Sequence, residues 1–243
     1  SWFDHIGSMT YSLGFHMGYV RNKVTKFQGE VPSINGVYKL QEGKPINQLY
    51  VRSVARIVRD QSDLDYVQSL VDKNPDYFAT YQRPELGDFL YADANHDGNL
   101  DANDRIEIGN GNSPSFTFGG NIGISWKGFD FSMTWSGATK VSRLLDDIFR
   151  EPFGATDSRS LMKYMIDDMW TPEKGNSAKA PAISFTNKVN NYRDSDLWLR
   201  DASYLRLKNV EIGYNFPKKI LSKINIGSLR VFATGYNLSL IHI

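Results

Sequence analysis

From Phe116 to Ser136 the chain alternates between apolar and small polar residues. Phe116, Phe118, Ile122, Ile124 and Trp126 hold one parity, and Thr117, Gly119, Asn121, Gly123 and Ser125 hold the other. Beyond Lys127-Gly128 the pattern resumes, with Phe129, Phe131, Met133 and Trp135 against Asp130, Ser132, Thr134 and Ser136. A β-strand sends successive side chains to opposite faces. The alternation therefore predicts strands over 116–126 and 129–136 joined by a tight turn, each with one aromatic-tipped apolar face and one small polar face. Tyr11, Leu13, Phe15, Met17 and Tyr19 against Ser12, Gly14, His16 and Gly18 predict another such strand over 9–20. In a strand over 204–216, Val210, Ile212 and Tyr214 share a face while Leu205 and Leu207 are out of phase, so a bulge or phase change is expected near Lys208. Leu229, Val231 and Ala233 predict a last strand over 229–238.

The connections are of two kinds. Lys127-Gly128 and Pro217–Gly227 are short, whereas loops 21–115 and 137–203 are long. Gly36 and a Glu42-Gly43-Lys44-Pro45 turn break the first long loop, which also holds a helix. There Ser62 and Asp65 resemble a capping box, with Asp in place of the usual Glu or Gln, ahead of Val67, Leu70 and Val71. In the second loop Leu161, Met165 and Met169 recur at helical spacing until Trp170-Thr171-Pro172. In an antiparallel arrangement both short links fall on one side and both long loops on the other. Compact domains rarely carry such loops. Transmembrane barrels do so systematically, with apolar residues toward lipid and polar residues toward a wet interior. A soluble two-sheet sandwich remains the other use of the same alternation.

Composition narrows the function more than the fold. A net charge of +1 gives no sign of a nucleic-acid partner. The absence of cysteine removes disulfides, thiolate metal sites and cysteine nucleophiles. No apolar run reaches the roughly 20 residues of a membrane-spanning helix. Barrel strands escape that test because their lipid face is hidden in alternation. Ser1-Trp2-Phe3-Asp4 carries neither a basic nor an apolar signal region.

One segment carries a sharp chemical motif. Asp93-Ala94-Asn95-His96-Asp97-Gly98-Asn99-Leu100-Asp101-Ala102-Asn103-Asp104 places Asp93, Asn95, Asp97, Asn99, Asp101 and Asp104 at the spacing of an oxygen-ligand loop, with glycine where the chain turns sharply. Ca²⁺ takes six to eight hard oxygens in such loops. The six residues are therefore candidate ligands of a structural Ca²⁺ that would rigidify the loop. Asp104 replaces the usual closing Glu, and the flanks lack paired helices. The alternative is a polar turn in which Asp and Asn cap their own backbone. Enzymatic signals are weak, and no enzymatic activity is expected. His5, His16, His96 and His242 are scattered, and Asp167 and Asp168 point in different directions on a helix. Gly109-Asn110-Gly111-Asn112 lacks the lysine and helix of a phosphate loop, and no carboxylate pair of a glycoside hydrolase is evident. Arg193, Asp194, Asp196, Arg200 and Asp201 read as a solvated, mixed-charge loop.

In order, the chain carries Gly87-Asp88-Phe89-Leu90-Tyr91, the Asp/Asn loop, Ile108-Gly109-Asn110 and Pro114-Ser115-Phe116-Thr117-Phe118-Gly119. Trp126-Lys127-Gly128-Phe129-Asp130, Trp170-Thr171-Pro172-Glu173 and Ser203-Tyr204-Leu205-Arg206-Leu207-Lys208-Asn209-Val210 follow. Gly213-Tyr214-Asn215-Phe216-Pro217 and Gly235-Tyr236-Asn237-Leu238 complete the series. Together these motifs resemble the C-terminal part of SusC/RagA-like, TonB-linked outer-membrane transporters, strongly over about 87–238 and loosely over 9–50. The resemblance implies a transmembrane β-barrel; with the strands read above, the chain is expected to be all-β, an antiparallel transmembrane β-barrel segment of about five strands whose long extracellular loops contain short helices. It implies a Gram-negative outer-membrane location in contact with lipid, and import of oligosaccharide or peptide. The partners would be a SusD-like surface lipoprotein and the TonB complex, the latter acting through a plug domain that this sequence lacks. The family would continue past Ser239-Leu240-Ile241-His242-Ile243, so the chain reads as a fragment. The alternative is a secreted, calcium-stabilised β-sandwich that binds carbohydrate.

Overall fold

The structure, a computed structural model, describes residues 1–26, 28, 33–34, 37–46, 48–153, 159–183 and 189–242; Gly36 and Ile243 lie outside them. The chain divides into two compact units. The first comprises 1–22, 110–142 and 201–243, and the second comprises 23–109 and 143–200.

The first unit is built on one antiparallel sheet of six strands in chain order. They are β1 (Trp2–Ile6), β2 (Met9–Tyr19), β3 (Phe116–Trp126), β4 (Phe129–Thr139), β5 (Tyr204–Asn215) and β6 (Arg230–His242). The expected count of about five is thus six in this sheet. β1 escaped notice because Trp2, Phe3, Asp4, His5 and Ile6 do not alternate; it is defined by its pairing with β2 after a turn at Gly7, φ +61°. Lys127 and Gly128 both take positive φ, 49° and 91°. Two left-handed residues make the turn whose twist suits a two-residue hairpin. Met9 lies opposite Trp126, Phe129 opposite Tyr214, and Asn215 opposite Arg230. All three short connections therefore fall at one edge, and both long insertions leave and return at the other.

The register keeps the two faces distinct. Tyr11, Ile124, Phe131, Ile212 and Ala233 form one row across five strands, and Leu13, Ile122, Met133, Val210 and Gly235 form the next. Ser12, Gly123, Ser132, Glu211 and Thr234 make a row of the opposite face. Side-chain period is two, so a slip of one residue would exchange the faces. The phase change expected at Lys208 is present: the β5 register shifts between Leu207 and Asn209 against β6, and β4 pairs Thr134 with Asn209 but Trp135 with Leu207. Skipping Lys208 returns Leu205 and Leu207 to the face of Val210, Ile212 and Tyr214. On β6 the compensating irregularity includes Asn237, with φ 52°. Glycines receive the bulk of their neighbours. The Trp135 ring lies over Gly120 and the Phe118 ring over Gly137 on the apolar face, and Asn121 lies over Gly14 and His16 over Gly119 on the polar face.

The apolar face is not a core. Phe15, Met17, Ile212 and Val231 are 65, 70, 56 and 57% exposed. Among the described residues, both hydrophobic core clusters are built from the second unit. A sandwich would need this face covered by a second sheet, and the structure shows it open.

In the second unit both insertions contribute to one core. Trp198, from the second, packs with Ile57, Tyr77, Tyr81, Phe89, Tyr91 and Leu100 from the first. Short strand pairs, Tyr50–Arg52 with Arg105–Glu107 and Val54–Ile57 with Phe89–Tyr91, frame it. Helix α1 (Gln61–Lys73) buries Val67 against Val58 and Leu90. Its N-cap is Asp60 rather than Ser62: the Asp60 carboxylate accepts from the Asp63 N–H at 3.1 Å and from the Ser62 hydroxyl at 2.7 Å. Ser62 lies inside the helix because the carboxylate two residues earlier accepts the Asp63 N–H and so caps the first turn. Helices α2 (Asp147–Arg150) and α3 (Lys163–Asp168) are short, and Leu161 and Met169 lie just outside α3, which buries Met165.

The mixed-charge segment around 193–196 is a structural hub, not a solvated loop. Asp196 accepts from the Ser53 hydroxyl and the Val54 N–H at 2.8 and 3.0 Å, Asp194 pairs with Arg150 at 2.8 Å, and the Arg193 guanidinium stacks on Tyr81. Asn191, fully buried, accepts from the Phe89 N–H at 2.9 Å and donates to Asp88 at 2.8 Å, while its carbonyl accepts from the Trp198 indole at 3.0 Å. Truncating Asn191 to alanine strands a buried N–H. It should lower the stability of this unit by about 1–3 kcal/mol. The check is native-state hydrogen exchange: the Phe89 amide should lose protection while the β3–β4 hairpin amides keep theirs.

Candidate functional site: the polar face and the Asp/Asn loop

On the polar face, charges of three strands meet over a glycine. Asp130 on β4 and Arg230 on β6 flank Gly213 on β5, and a Cβ at Gly213 would collide with both side chains. Arg230 donates from Nη2 to Asp130 and, at 2.6 Å, to Glu211; its Nε reaches Asp130 at 3.3 Å. Asn215 adds an amide donor to Asp130 at 3.0 Å. An isolated exposed pair contributes little, but a linked network with a bidentate arginine fixes geometry. Sequence reading missed this cluster. The available signal was that Asp130, Glu211 and Arg230 all hold the polar parity of strands beside the short turns. Farther along this face the side chains stay small or polar through Ser132, Thr134, Asn121 and Thr117. Segregation weakens on the two outer strands: on β6 Phe232, Tyr236 and Leu240 share the polar parity, and on β1 Phe3 lies in the polar row of Ser12 and Asp4 in the apolar row of Tyr11.

The Asp/Asn loop lies in the second unit. Asp104, 1% exposed, accepts from the N–H groups of Ala94 at 2.8 Å, Asn95 at 3.5 Å and Asp101 at 2.7 Å. Asp93 accepts from Asp97 and Gly98 at 3.2 and 2.9 Å, Asp97 from Asn99 at 2.8 Å, and Asp101 from Asn103 at 2.7 Å. Asn95 accepts from the Asp97 N–H and donates to its carboxylate, and the Asn99 carbonyl-side oxygen Oδ1 accepts from Asn74. Gly98 turns the loop at φ +81°, and His96 takes φ 60°. The six residues thus share one loop: Asp93, Asn95, Asp97, Asp101 and Asp104 turn oxygens to backbone N–H donors, and Asn99 accepts from the Asn74 side chain. Among the described residues no three His, Cys, Asp or Glu side chains are grouped as a metal would require.

Electrostatics in the loop follow burial. Desolvation raises the Asp104 carboxyl above its ordinary range, with the Asp93 charge adding to it, against the lowering by its three amide donors. Tyr77, buried beneath the loop, has its hydroxyl pushed up to about 12, first by burial and then by the charges of Asp93, Asp104 and Asp97. Tyr66, Asn74, Tyr77, Asp93, His96 and Asp97 line a cleft of about 580 Å³. His5 and His16 lie on β1 and β2 of the first unit, and Asp167 pairs with Lys163 one turn away on α3 at 2.6 Å.

The architecture has a clear class: an antiparallel wall with segregated faces, short turns at one edge and large insertions at the other. No protein-family model matches the chain. Curated relatives do. Among them, TonB-dependent receptor P3 of Formosa agariphila is 30% identical over 153 residues, covering 63% of this chain and 14% of the relative. TonB-dependent receptor P39 of the same organism is 25% identical over 244 residues, covering 88% of this chain and 23% of the relative. The chain thus spans less than a quarter of the length of these relatives. Among solved structures, the RagAB peptide transporter superposes with a TM-score of 0.72 at 20% identity, over 99% of this chain and 24% of that one. The fold is that of TonB-dependent transporters. Within that class the relatives and the RagAB likeness support the resemblance carried by the motifs, to a SusC/RagA-like transporter, and the chain aligns with a part of each.

Asp104→Ala should free three N–H groups around a buried position and cost about 2–3 kcal/mol. Asp97→Ala, at the exposed tip, should cost less than about 1 kcal/mol. The raised Asp104 carboxyl also sets a sign with pH. The folded state holds its proton more tightly than the unfolded state, so this group's stabilisation is greatest below the ordinary carboxylate range and falls as pH rises through its folded value. Hydrogen exchange of the Ala94 and Asp101 amides in the wild type, Asp104→Ala and Asp97→Ala measures the costs, and its course across acid pH in the wild type and Asp104→Asn measures the titration.

Proposed function

We propose that the six-stranded sheet is part of the wall of an outer-membrane barrel, and that the chain serves a TonB-dependent importer of large nutrients. The observation that carries this reading is the open apolar face: the row Leu13, Ile122, Met133 and Val210 crosses four strands with Leu13 exposed and the other three half-buried, and Phe15, Met17, Ile124 and Ile212 beside it are exposed. Water penalises such a face, whereas lipid solvates it, and the ladder satisfies the backbone donors and acceptors that hydrocarbon cannot. The glycine-rich opposite face, with its Asp130–Arg230–Glu211 network, suits a wet interior. The insertions, leaving from the edge opposite the short turns, then belong to the extracellular side. The TonB-dependent names of the relatives support energised transport, and the RagAB likeness supports a lipoprotein partner and a peptide cargo; an oligosaccharide cargo rests on the motif resemblance alone.

In this role the protein makes and breaks no covalent bonds. The wall supplies a rigid lipid-solvated boundary, and the second unit supplies a folded surface body carrying the Asp/Asn loop. To that loop we assign a structural Ca²⁺ held by Asp93, Asn95, Asp97, Asn99, Asp101 and Asp104. The oxygen spacing supports the assignment; the present side-chain placement, spent on amide donors, does not.

Two measurements test the reading. Ile122→Lys and Ser132→Lys place the same charge on opposite faces of adjacent strands. On a lipid-facing wall the first should cost about 2–4 kcal/mol and the second nearly nothing. Outer-membrane abundance and heat-modifiable gel mobility of the full receptor should therefore drop for Ile122→Lys alone. Equal losses from both substitutions would refute the wall. For the ion, titration calorimetry of the full receptor with Ca²⁺ should show uptake that Asp97→Ala abolishes. Absence of heat in the wild type would remove calcium from the account and leave the loop as a self-capped turn.

A further inference from the structure

The connector between β5 and β6 does more than turn the chain. Residues 216–229 include Lys218, Lys219 and Lys223 and no carboxylate. Helix α4 (Lys218–Leu221) runs into a 3₁₀ turn over Ser222–Ile224, closed by Asn225 at φ 55°. Leu221 is 1% exposed and pins this element, whereas Ile220 and Ile224 are 54 and 59% exposed. Ile220 and Ile224 thus offer exposed apolar side chains on this two-part element, and the exposed Lys219 and Lys223 directly precede them in the chain.

The surroundings add to this pattern. Lys127, in the neighbouring short turn, sits 4.9 Å over the Trp126 ring. Phe129, Tyr214 and Phe216 stack in sequence along the same edge, with ring centroids 4.5 and 5.0 Å apart. The carboxylates of the adjoining polar face, Asp130 and Glu211, are engaged by Arg230. Among the described residues no carboxylate pairs with Lys218, Lys219 or Lys223 in the ion pairs of this unit. Of these rings, Trp126 and Tyr214 carry the polar N–H or O–H that settles an aromatic at a membrane–water boundary. An element that offers apolar side chains beside lysines suits the same depth, with its cations at the phosphates.

Resting on the barrel-wall reading, we infer that the 217–227 connector is an interfacial anchor that binds the headgroup phosphates of anionic phospholipids on the short-turn side of the membrane. Ile220 and Ile224 enter the acyl boundary, and Lys218, Lys219, Lys223 and Lys127 meet the headgroups. Charge complementarity selects this occupant: a cationic element with no internal carboxylate gains from anionic lipid over zwitterionic lipid, at about 1 kcal/mol per lysine near the surface.

The experiment uses the full receptor in nanodiscs of phosphatidylcholine, alone or with phosphatidylglycerol admixed, and reads thermal stability and, by native mass spectrometry, retained phosphatidylglycerol. The wild type should gain stability and retain bound lipid only in the mixed discs. The triple variant Lys218→Gln, Lys219→Gln, Lys223→Gln should insert normally, match the wild type in phosphatidylcholine, and retain phosphatidylglycerol roughly a hundredfold more weakly at low salt, from three lysines at about fivefold each. Ile220→Ser with Ile224→Ser should lower stability in both discs. A triple variant that keeps the full phosphatidylglycerol response overturns the anchor while leaving the wall intact. Failure of the wild type to enter either disc overturns the wall, and the anchor with it.

Discussion

The hydrogen-bond ladder of the six-stranded sheet holds one phase across its strands, and nearly every other property of the first unit depends on that phase. Side chains alternate with period two, so the apolar and polar faces exist only while each strand keeps its register with the next. Glycine helps enforce it. Trp135 over Gly120 and Phe118 over Gly137 are knobs in holes that fit in one register, and His16 over Gly119 repeats the device on the other face. The Lys208 irregularity belongs to the same logic. Without it, half of β5 would turn Leu205 and Leu207 toward the polar side.

Much of this was legible in the sequence because strand alternation is local. The hairpin at Lys127-Gly128, the strand over 9–20 and the phase change at Lys208 each follow from parity within a dozen residues. β1 was not legible, because Asp4 and His5 interrupt any alternation and only pairing with β2 defines it. Strand ends also ran further than parity suggested: β4 reaches Thr139 and β6 reaches His242, where pairing continues after the apolar pattern fades.

Contacts between distant segments were the least legible part. Arg193, Asp194 and Asp196 read as a solvated loop because charge normally means water, yet their partners Tyr81, Arg150 and Ser53 lie elsewhere in the chain. Asp60 displaced Ser62 as the α1 cap for a similar reason: several residues could cap, and backbone geometry chose. In the Asp/Asn loop, composition alone allowed either ion ligation or self-capping. The amide donors to Asp93, Asp97 and Asp104 show how the side chains are used when the loop closes on itself.

The shared core of the two insertions has a kinetic consequence. Phe89 and Asn191 meet across a sequence separation of 102 residues, and Trp198 must find Phe89 and Tyr91 after the β3–β4 hairpin has been synthesised between them. Closing so long a loop is entropically costly and slow. The first insertion cannot complete its interior during its own synthesis. Its apolar residues stay exposed until the second insertion arrives, so this body matures late and as one event. A lengthened or shortened second insertion would therefore act first on how fast the body forms, before any effect on what it binds.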